Sequence, residues 1–306
     1  MSLIVDNAFL LGADGLIQSG DQIWFHFQKY PWNLSCQKKN PGSGMHRRII
    51  ESRIRKGLPD PSKASLLQGT YHLGISPHIY SYYHLITDLL PHLIDTPKNP
   101  VLVPHFMPQS FIEFLKKAKF EVRILSEGTV LVERLYIPEM VMPEWNFEKV
   151  NKVQTFFENL LPKNSHASST YSKPINRIYV SRKLVGKRHL SNEDEFLPLL
   201  KKYKFRKVYL EQMSIIEQVE LFRTATHIIA AHGAGLTNVL FAPANSRILE
   251  IRPEISSGQF CFEKLFSLGW PNSEFLVSPY KGKFEIPPEM LNEVIERWNI
   301  EDLSTF

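Results

Sequence analysis

Cysteine is nearly missing from this sequence: Cys36 and Cys261 are the two that occur in 306 residues, far apart and in unrelated contexts. That leaves no disulfide framework and no thiolate metal spacing, so both are read as reduced thiols. There is no Asp-x-Asp pair, and no His/Cys cluster stands at metal-ligand spacing. The common sequence signs of a bound divalent ion are therefore lacking. No run of about 18 apolar residues, the length that crosses a bilayer, is present. The opening MSLIVDNAFLLGADG has neither the basic start nor the apolar core of a signal peptide. Low-complexity tracts, internal repeats and long blocks of one charge are missing too. The expectation is a folded cytoplasmic protein, or one held peripherally at the inner face of a membrane.

What the chain does have is apolar mass, with 43% hydrophobic and 12% aromatic residues. That suffices for one large core or two medium ones, and the length favours two domains. A net charge of +5 and a pI near 9.0 suit a nucleotide diphosphate, a nucleic acid or an anionic membrane alike. The aromatic-plus-basic motif of an RNA reader is absent, so nucleic acid is not an expected partner. The polar stretch Asn164 to Pro174, NSHASSTYSKP, reads as a linker. It divides the chain into residues 1–165 and 166–306.

Before the linker, strand-like runs at Gln22 to Phe27, Val101 to Val103, Val122 to Leu125 and Val130 to Ile137 mix with helix-like stretches at Ser81 to Leu90 and Ser110 to Lys119. An α/β domain is expected. After it the alternation is cleaner: strand Arg177 to Val180, helix Asn192 to Lys204, strand Lys207 to Leu210, helix Ile215 to Ala225, strand His227 to Ala231, a short helix, and strand Arg247 to Ile251. Such interleaving predicts parallel βαβ units, with ligands outside the carboxyl ends of the strands. The loops after Val180, Ala231 and Ile251 are therefore where function is expected.

Each of those loops carries chemistry. In AHGAGLTNVLFAP, Ala231 to Pro243, a strand ends in Gly233-Ala234-Gly235 and enters a short helix. Small residues and a helix N-terminus favour a phosphate, His232 can donate to a pyrophosphate oxygen, and Asn238 can fix the loop or reach the ligand. The bland alternative is a tight turn and nothing more. In IYVSRKLVGKR, Arg182, Lys183, Lys187 and Arg188 follow a strand end, where they can neutralise a diphosphate or simply form a solvated basic loop. Glu250 can accept from both ribose hydroxyls of a nucleotide, or pair with Arg252 or Arg247.

The fourth stretch is YSYYHLITDLLPHL, Tyr80 to Leu93. Helical spacing segregates Tyr82, Leu85, Ile86, Leu89, Leu90 and Leu93 from Tyr80, His84 and Asp88. Asp88 can serve as a general base with His84 orienting it, or His84 can be the base. An ordinary amphipathic helix with a His–Asp pair on its solvated face explains the same spacing.

Taken together, these stretches resemble glycosyltransferase family 61. The pieces are Arg177 to Arg182, then Arg188, Asn192 and Glu193, Glu211, Glu217 and Gln218, His232 to Asn238, and the upstream Y-Y-H-x-x-x-D-x-L-P from Tyr82 to Pro91. The resemblance implies a GT-B architecture of two Rossmann-like domains facing a cleft. It implies an acceptor in the N-terminal domain, a nucleotide sugar in the C-terminal one, inversion of configuration, and neither metal nor cofactor. It places Arg182 and His232 with Gly233, Ala234 and Gly235 on the diphosphate. A UDP-sugar is the first donor and a hydroxyl of a glycan or glycolipid the acceptor, as in surface polysaccharide synthesis. The last helix, residues 288–298, is expected to cross back onto the N-terminal domain. Animal and plant members carry an N-terminal membrane anchor that this sequence does not show, which points to a bacterial-type enzyme. Residues 1–73 match nothing recognisable and are where acceptor choice is expected. The rival from another class is a nucleotide- or glycan-binding protein that has lost catalysis. A Rossmann dehydrogenase is disfavoured, because Asn238 stands at the third glycine position of G-x-G-x-x-G.

Overall fold

The structure, a computed structural model, describes residues 3–11, 16–19, 22–25, 32–33, 60–75, 79–95, 98–125, 128–137, 145–161, 177–186, 188–253, 261–280 and 284–299. The linker read at Asn164 to Pro174 lies outside them, as do Lys187 and Cys36. The chain forms two compact units, Met1–Glu144 and Trp145–Phe306.

The first unit holds one eight-stranded sheet of β1 (Leu3–Leu11), β2 (Leu16–Ser19), β3 (Gln22–Phe25), β4 (Trp32–Asn33), β5 (Ser65–Leu73), β6 (Val101–Pro104), β7 (Val122–Leu125) and β8 (Thr129–Ile137), in the order β4-β3-β2-β1-β8-β5-β6-β7. Strands β8, β5, β6 and β7 run parallel, whereas β1 lies antiparallel to β8 and continues into an antiparallel meander. The expectation of a Rossmann-like domain thus describes only half of this sheet. The run read at Gln22 to Phe27 is β3, whereas β1, LIVDNAFLL, escaped the reading because it has no clean period-two alternation, and β2 and β4 because they are very short. Val5, Ala8, Leu10, Leu73, Leu102, Val132 and Leu135 close the core of this unit.

In the second unit β9 (Arg177–Val180), β10 (Arg206–Val208), β11 (His227–Ala231), β12 (Arg247–Arg252) and β13 (Ser273–Val277) form a wholly parallel sheet in the order β10-β9-β11-β12-β13. The inner strands are continuous apolar runs buried on both faces, as a helix-covered parallel sheet requires. The chain steps from β9 outward to β10 and then returns across β9 to β11, so the winding reverses between β9 and β11. In an open α/β sheet that reversal leaves a crevice outside the carboxyl ends of the two strands, the position where ligands bind.

Two expectations about this unit change. The helix Pro288–Arg297 packs into the unit's own core, where Leu291, Val294, Ile295 and Trp298 are buried with Tyr179, Phe196, Ile229 and Leu249. The Trp298 indole also donates to Glu274 at 2.6 Å. A helix expected to cross back is therefore committed to the sheet beside it. The helix Phe147–Leu160, assigned by the 165/166 boundary to the first domain, also belongs here. Phe157 meets Phe241 at 4.7 Å between ring centroids, and the Gln154 amide donates to the Leu240 carbonyl at 2.6 Å. The signal for it was present in Asn146, whose side chain caps Lys149, and in buried Val150, Val153 and Phe157 at helical spacing. Among the described residues no helix is long and apolar enough to cross a membrane.

His227 opens β11 in register with Arg177 on one side and Arg247 on the other. Burial, then the charges of Arg177 and Arg247, push its imidazole down to about 4 from 6.5. The ring is neutral in the fold but takes a proton in the unfolded chain below about 6.5. The stability it contributes is therefore present above pH 6.5 and lost as pH falls towards 4. Melting curves between those values should show a steeper decline for the native protein than for His227→Gln, and parallel declines would refute the assignment.

Candidate functional site

The switch point is built from the two residues that extend β9 and β11. The Ser181 amide donates to Val208 O at 3.0 Å, keeping the backbone in line past the end of β9. Its hydroxyl donates at 2.6 Å to Glu193 Oε2, which also accepts from the Tyr179 hydroxyl at 2.9 Å, while Lys207 Nζ pairs with Glu193 Oε1. Glu193 is 2% exposed and opens the helix Glu193–Lys202, where unpaired amides and the helix dipole favour a carboxylate. Burial and Glu193 raise the Tyr179 phenol well above its ordinary value, so it remains a neutral donor. The Lys183 amide donates to Ser181 Oγ at 3.2 Å. The turn that carries Arg182 is thus pinned from below on both sides.

Arg182 lies against Gly233. A Cβ at Gly233 would stand 1.9 Å from Arg182 Nη1 and 2.6 Å from Cζ. The Gly233 backbone is extended, at φ 167, which any residue adopts, so glycine is required there for room and not for conformation. Burial, then the charge of Arg188, pull the Arg182 pKa below its ordinary value, with Glu211 opposing them. A partly buried cation with a like charge nearby marks a place where an anion is favoured. The other cations of the basic loop divide. Arg188 is exposed, with a left-handed φ of 55, whereas the Lys183 amine is held by Asp194 at 2.7 and 2.9 Å.

The His232 amide donates to Ile251 O at 2.7 Å and continues the ladder past β11. Its ring, packed edge-on to Phe262 with centroids 5.6 Å apart, has Nδ1 hydrogen-bonded to Glu250 Oε1. Glu250 is fully buried, and its second oxygen accepts from Arg252 Nη2 at 2.9 Å. Arg252 in turn reaches Glu263 at 2.5 Å and lies 3.6 Å over the Phe275 ring. The carboxylate offered to a ribose by the sequence is therefore turned towards His232 and Arg252. With Nδ1 engaged by Glu250, Nε2 is the ring atom through which the imidazole can meet a ligand.

The residues that follow form a 3₁₀ helix, Ala234–Phe241, whose first internal bond runs from Leu236 N to Gly233 O at 3.0 Å. The amides of Gly233, Ala234 and Gly235 precede it. Gly235 is again a matter of room, since its Cβ would stand 2.8 Å from Leu210 Cδ1. Asn238 is fully buried and donates to Gln218 Oε1 at 2.9 Å and Gly235 O at 3.1 Å. Gln218 in turn donates to Leu210 O and Met213 O. Of the two roles open to Asn238, the structure gives it the fixing of the loop.

In the first unit, helix residues 82–94 contain a π-turn, Leu85–Leu89, closed by Leu90 N on Leu85 O. Pro91 explains it. In an unbroken α-helix its ring would meet the carbonyl of Thr87, and the wider turn relieves that contact. The shift buries Asp88 to 5% exposure instead of leaving it on a solvated face. Asp88 Oδ2 lies 2.6 Å from His84 Nδ1, and Oδ1 accepts from the Thr87 hydroxyl at 2.6 Å. His84 keeps 23% of its side chain exposed. The structure thus brings together His84 with Asp88, and Arg182 with Gly233, His232 and Glu250. Among the described residues no group of three or more His, Cys, Asp or Glu is placed to hold a metal.

The order of these residues matches a known family. The model described as Glycosyltransferase 61 covers residues 82–249, more than half of the chain. The chain belongs to glycosyltransferase family 61. Both the His84–Asp88 pair and the Arg182–Gly233 contact fall inside that match. A comparison with curated proteins finds no match. Among solved structures, this family 61 chain is similar to the iron-containing dodecameric glycosyltransferase TibC from enterotoxigenic E. coli H10407, at 13% identity, 77% of each chain covered and a TM-score of 0.38. It is also similar to a dodecameric iron-containing heptosyltransferase TibC in complex with ADP-D-beta-D-heptose, at 11% identity, 93% of this chain and 82% of that one covered, and a TM-score of 0.36. At these scores neither likeness decides the fold or the chemistry.

What sequence reasoning did not assign is the role of Glu193, which the motif contained only as a letter. Its signal was an acid opening a helix directly after a basic loop. Because the atom that a Gly233 side chain would strike is the far end of a flexible arginine, Gly233→Ala should fold with an unchanged circular dichroism spectrum while displacing the guanidinium. Affinity for an anion at this position, with inorganic pyrophosphate as the calorimetric probe, should fall by about tenfold or more, as for loss of one charge-assisted bond. Unchanged affinity would show that Arg182 does not grip the ligand from this position.

Proposed function

We propose that this glycosyltransferase moves a sugar from a nucleotide diphosphate donor, with a UDP-sugar the first to test, to a hydroxyl of a glycan or glycolipid acceptor. Inversion of configuration, independence of metal, a role in surface polysaccharide synthesis and a cytoplasmic setting belong to the same reading. So does a GT-B division of labour, with the first unit serving the acceptor and the second the donor. The observation that carries it is Arg182 lying on Gly233 at the point where the parallel sheet reverses its winding.

In the second unit the diphosphate takes the crevice beyond β9 and β11. The Arg182 guanidinium meets its charge, His232 offers Nε2 to an oxygen, and the amides at Gly233 to Gly235 supply neutral donors. Glu250 holds His232 in the required orientation, and Arg252 balances Glu250. As the acceptor oxygen attacks the anomeric carbon, the bond from that carbon to the β-phosphate oxygen breaks and the nucleoside diphosphate leaves with the electron pair. The proton of the acceptor hydroxyl passes to His84. Asp88 is buried with both oxygens engaged, so it suits the partner that orients His84 and stabilises the imidazolium, as in other carboxylate–histidine pairs.

Calorimetric titration of UDP with excess chelator tests the donor site. Micromolar binding that weakens by about 1.5 to 3 kcal/mol in Arg182→Ala is expected for a lost charge-assisted bond, and binding only after manganese is added would overturn the metal-independent mechanism. In the first unit, Asp88→Asn and His84→Gln should each lower transfer by about 10²- to 10⁴-fold while sparing UDP affinity. Full transfer by Asp88→Asn would remove the pair from the chemistry.

A further inference from the structure

Tyr80 is 73% exposed, more than any other large apolar side chain among the described residues. It stands immediately before Ser81, the N-cap residue of the helix that carries His84 and Asp88. Its ring faces Phe106, with centroids 5.8 Å apart and planes 30° from parallel. Phe106 follows the carboxyl end of β6 and packs, half-buried, on the core of the first unit, so one ring of the pair is anchored. Exposed His105 meets Phe106 edge-on at 5.2 Å, placing a polar group beside the aromatic face. An exposed ring held against an anchored one presents an aromatic face that a ligand can cover.

The occupant that fits is a sugar ring. A pyranose presents an apolar C–H face suited to an aromatic plane and a rim of hydroxyls suited to a phenol and an imidazole. A membrane or a protein helix would call for a broader apolar patch than two rings flanked by histidines. Tyr80 also stands on the chain that leads into the helix of His84, four residues before it in sequence. We propose that Tyr80 and Phe106 form a stacking platform for a pyranose ring of the acceptor, setting the hydroxyl of that ring, or of its neighbour, at His84. This rests on the reading of His84 and Asp88 as the acceptor-activating pair.

The test is retention of the fluorescently labelled full chain on an array of α- and β-linked mono- to tetrasaccharides, beside calorimetry with UDP. The native protein should hold a subset of the glycans. Tyr80→Ala should lose about tenfold or more in apparent affinity for that subset, Tyr80→Phe should stay within about twofold, and all should bind UDP alike. Phe106→Ala is the weaker variant, because Phe106 packs on the core. No retention by the native protein, or equal retention by Tyr80→Ala, overturns the platform even if UDP binds. Absence of UDP binding with Tyr80-dependent retention would instead sink the donor reading and leave the platform standing.

Discussion

Everything proposed for the second unit depends on one close approach, that of the Arg182 guanidinium to a backbone position without a side chain. Two parallel strands end side by side, and the loop leaving one must bring a charge over the backbone leaving the other. Any Cβ at Gly233 would occupy the space the guanidinium fills. The buried hydrogen bonds of Ser181 and Tyr179 to Glu193, with Lys207 on the far oxygen, set the height of that loop. Gln218 and Asn238 set the position of the opposing one. Much of the family pattern is therefore scaffold. Asn192 ties itself to the backbone of Ile286, and Glu217 completes a capping box with Ser214. The part of the pattern left to face the crevice is smaller than the pattern as a whole.

The second constraint is charge balance below the surface. His232, Glu250, Arg252 and Glu263 form a chain of paired side chains that runs from the end of β11 outward to a residue that is 44% exposed. A lone carboxylate at the fully buried position of Glu250 would be strongly disfavoured. Here both of its oxygens are engaged, one by His232 and the other by Arg252. The histidine ring is thus held by the protein's own side chains. The first unit reaches a comparable end by other means. A proline forces a wider turn, the turn carries Asp88 inward, and the buried aspartate holds a half-exposed histidine.

The sequence was most legible where structure is local. The βαβ alternation from Arg177 to Ile251 and the small residues after Ala231 are short-range patterns, and the corresponding elements agree within a few residues. It was least legible where partners are distant. Strand β1 takes its place through β8, more than a hundred residues away, and the helix Phe147–Leu160 takes its place through Leu240 and Phe241. Neither pairing leaves a mark on the local pattern.

By itself, then, the sequence determined the reaction family, the parallel sheet and the loops that leave its strands, because periodicity, glycine placement and motif order are local properties of the chain. Tertiary structure decided what each side chain in those loops does. Glu250 faces a histidine and an arginine instead of solvent, Lys183 is held by Asp194, Asn238 braces its own loop, and Asp88 is buried. These outcomes turn on burial and on which oppositely charged or hydrogen-bonding group comes within about 3 Å, quantities that exist only once distant segments have packed.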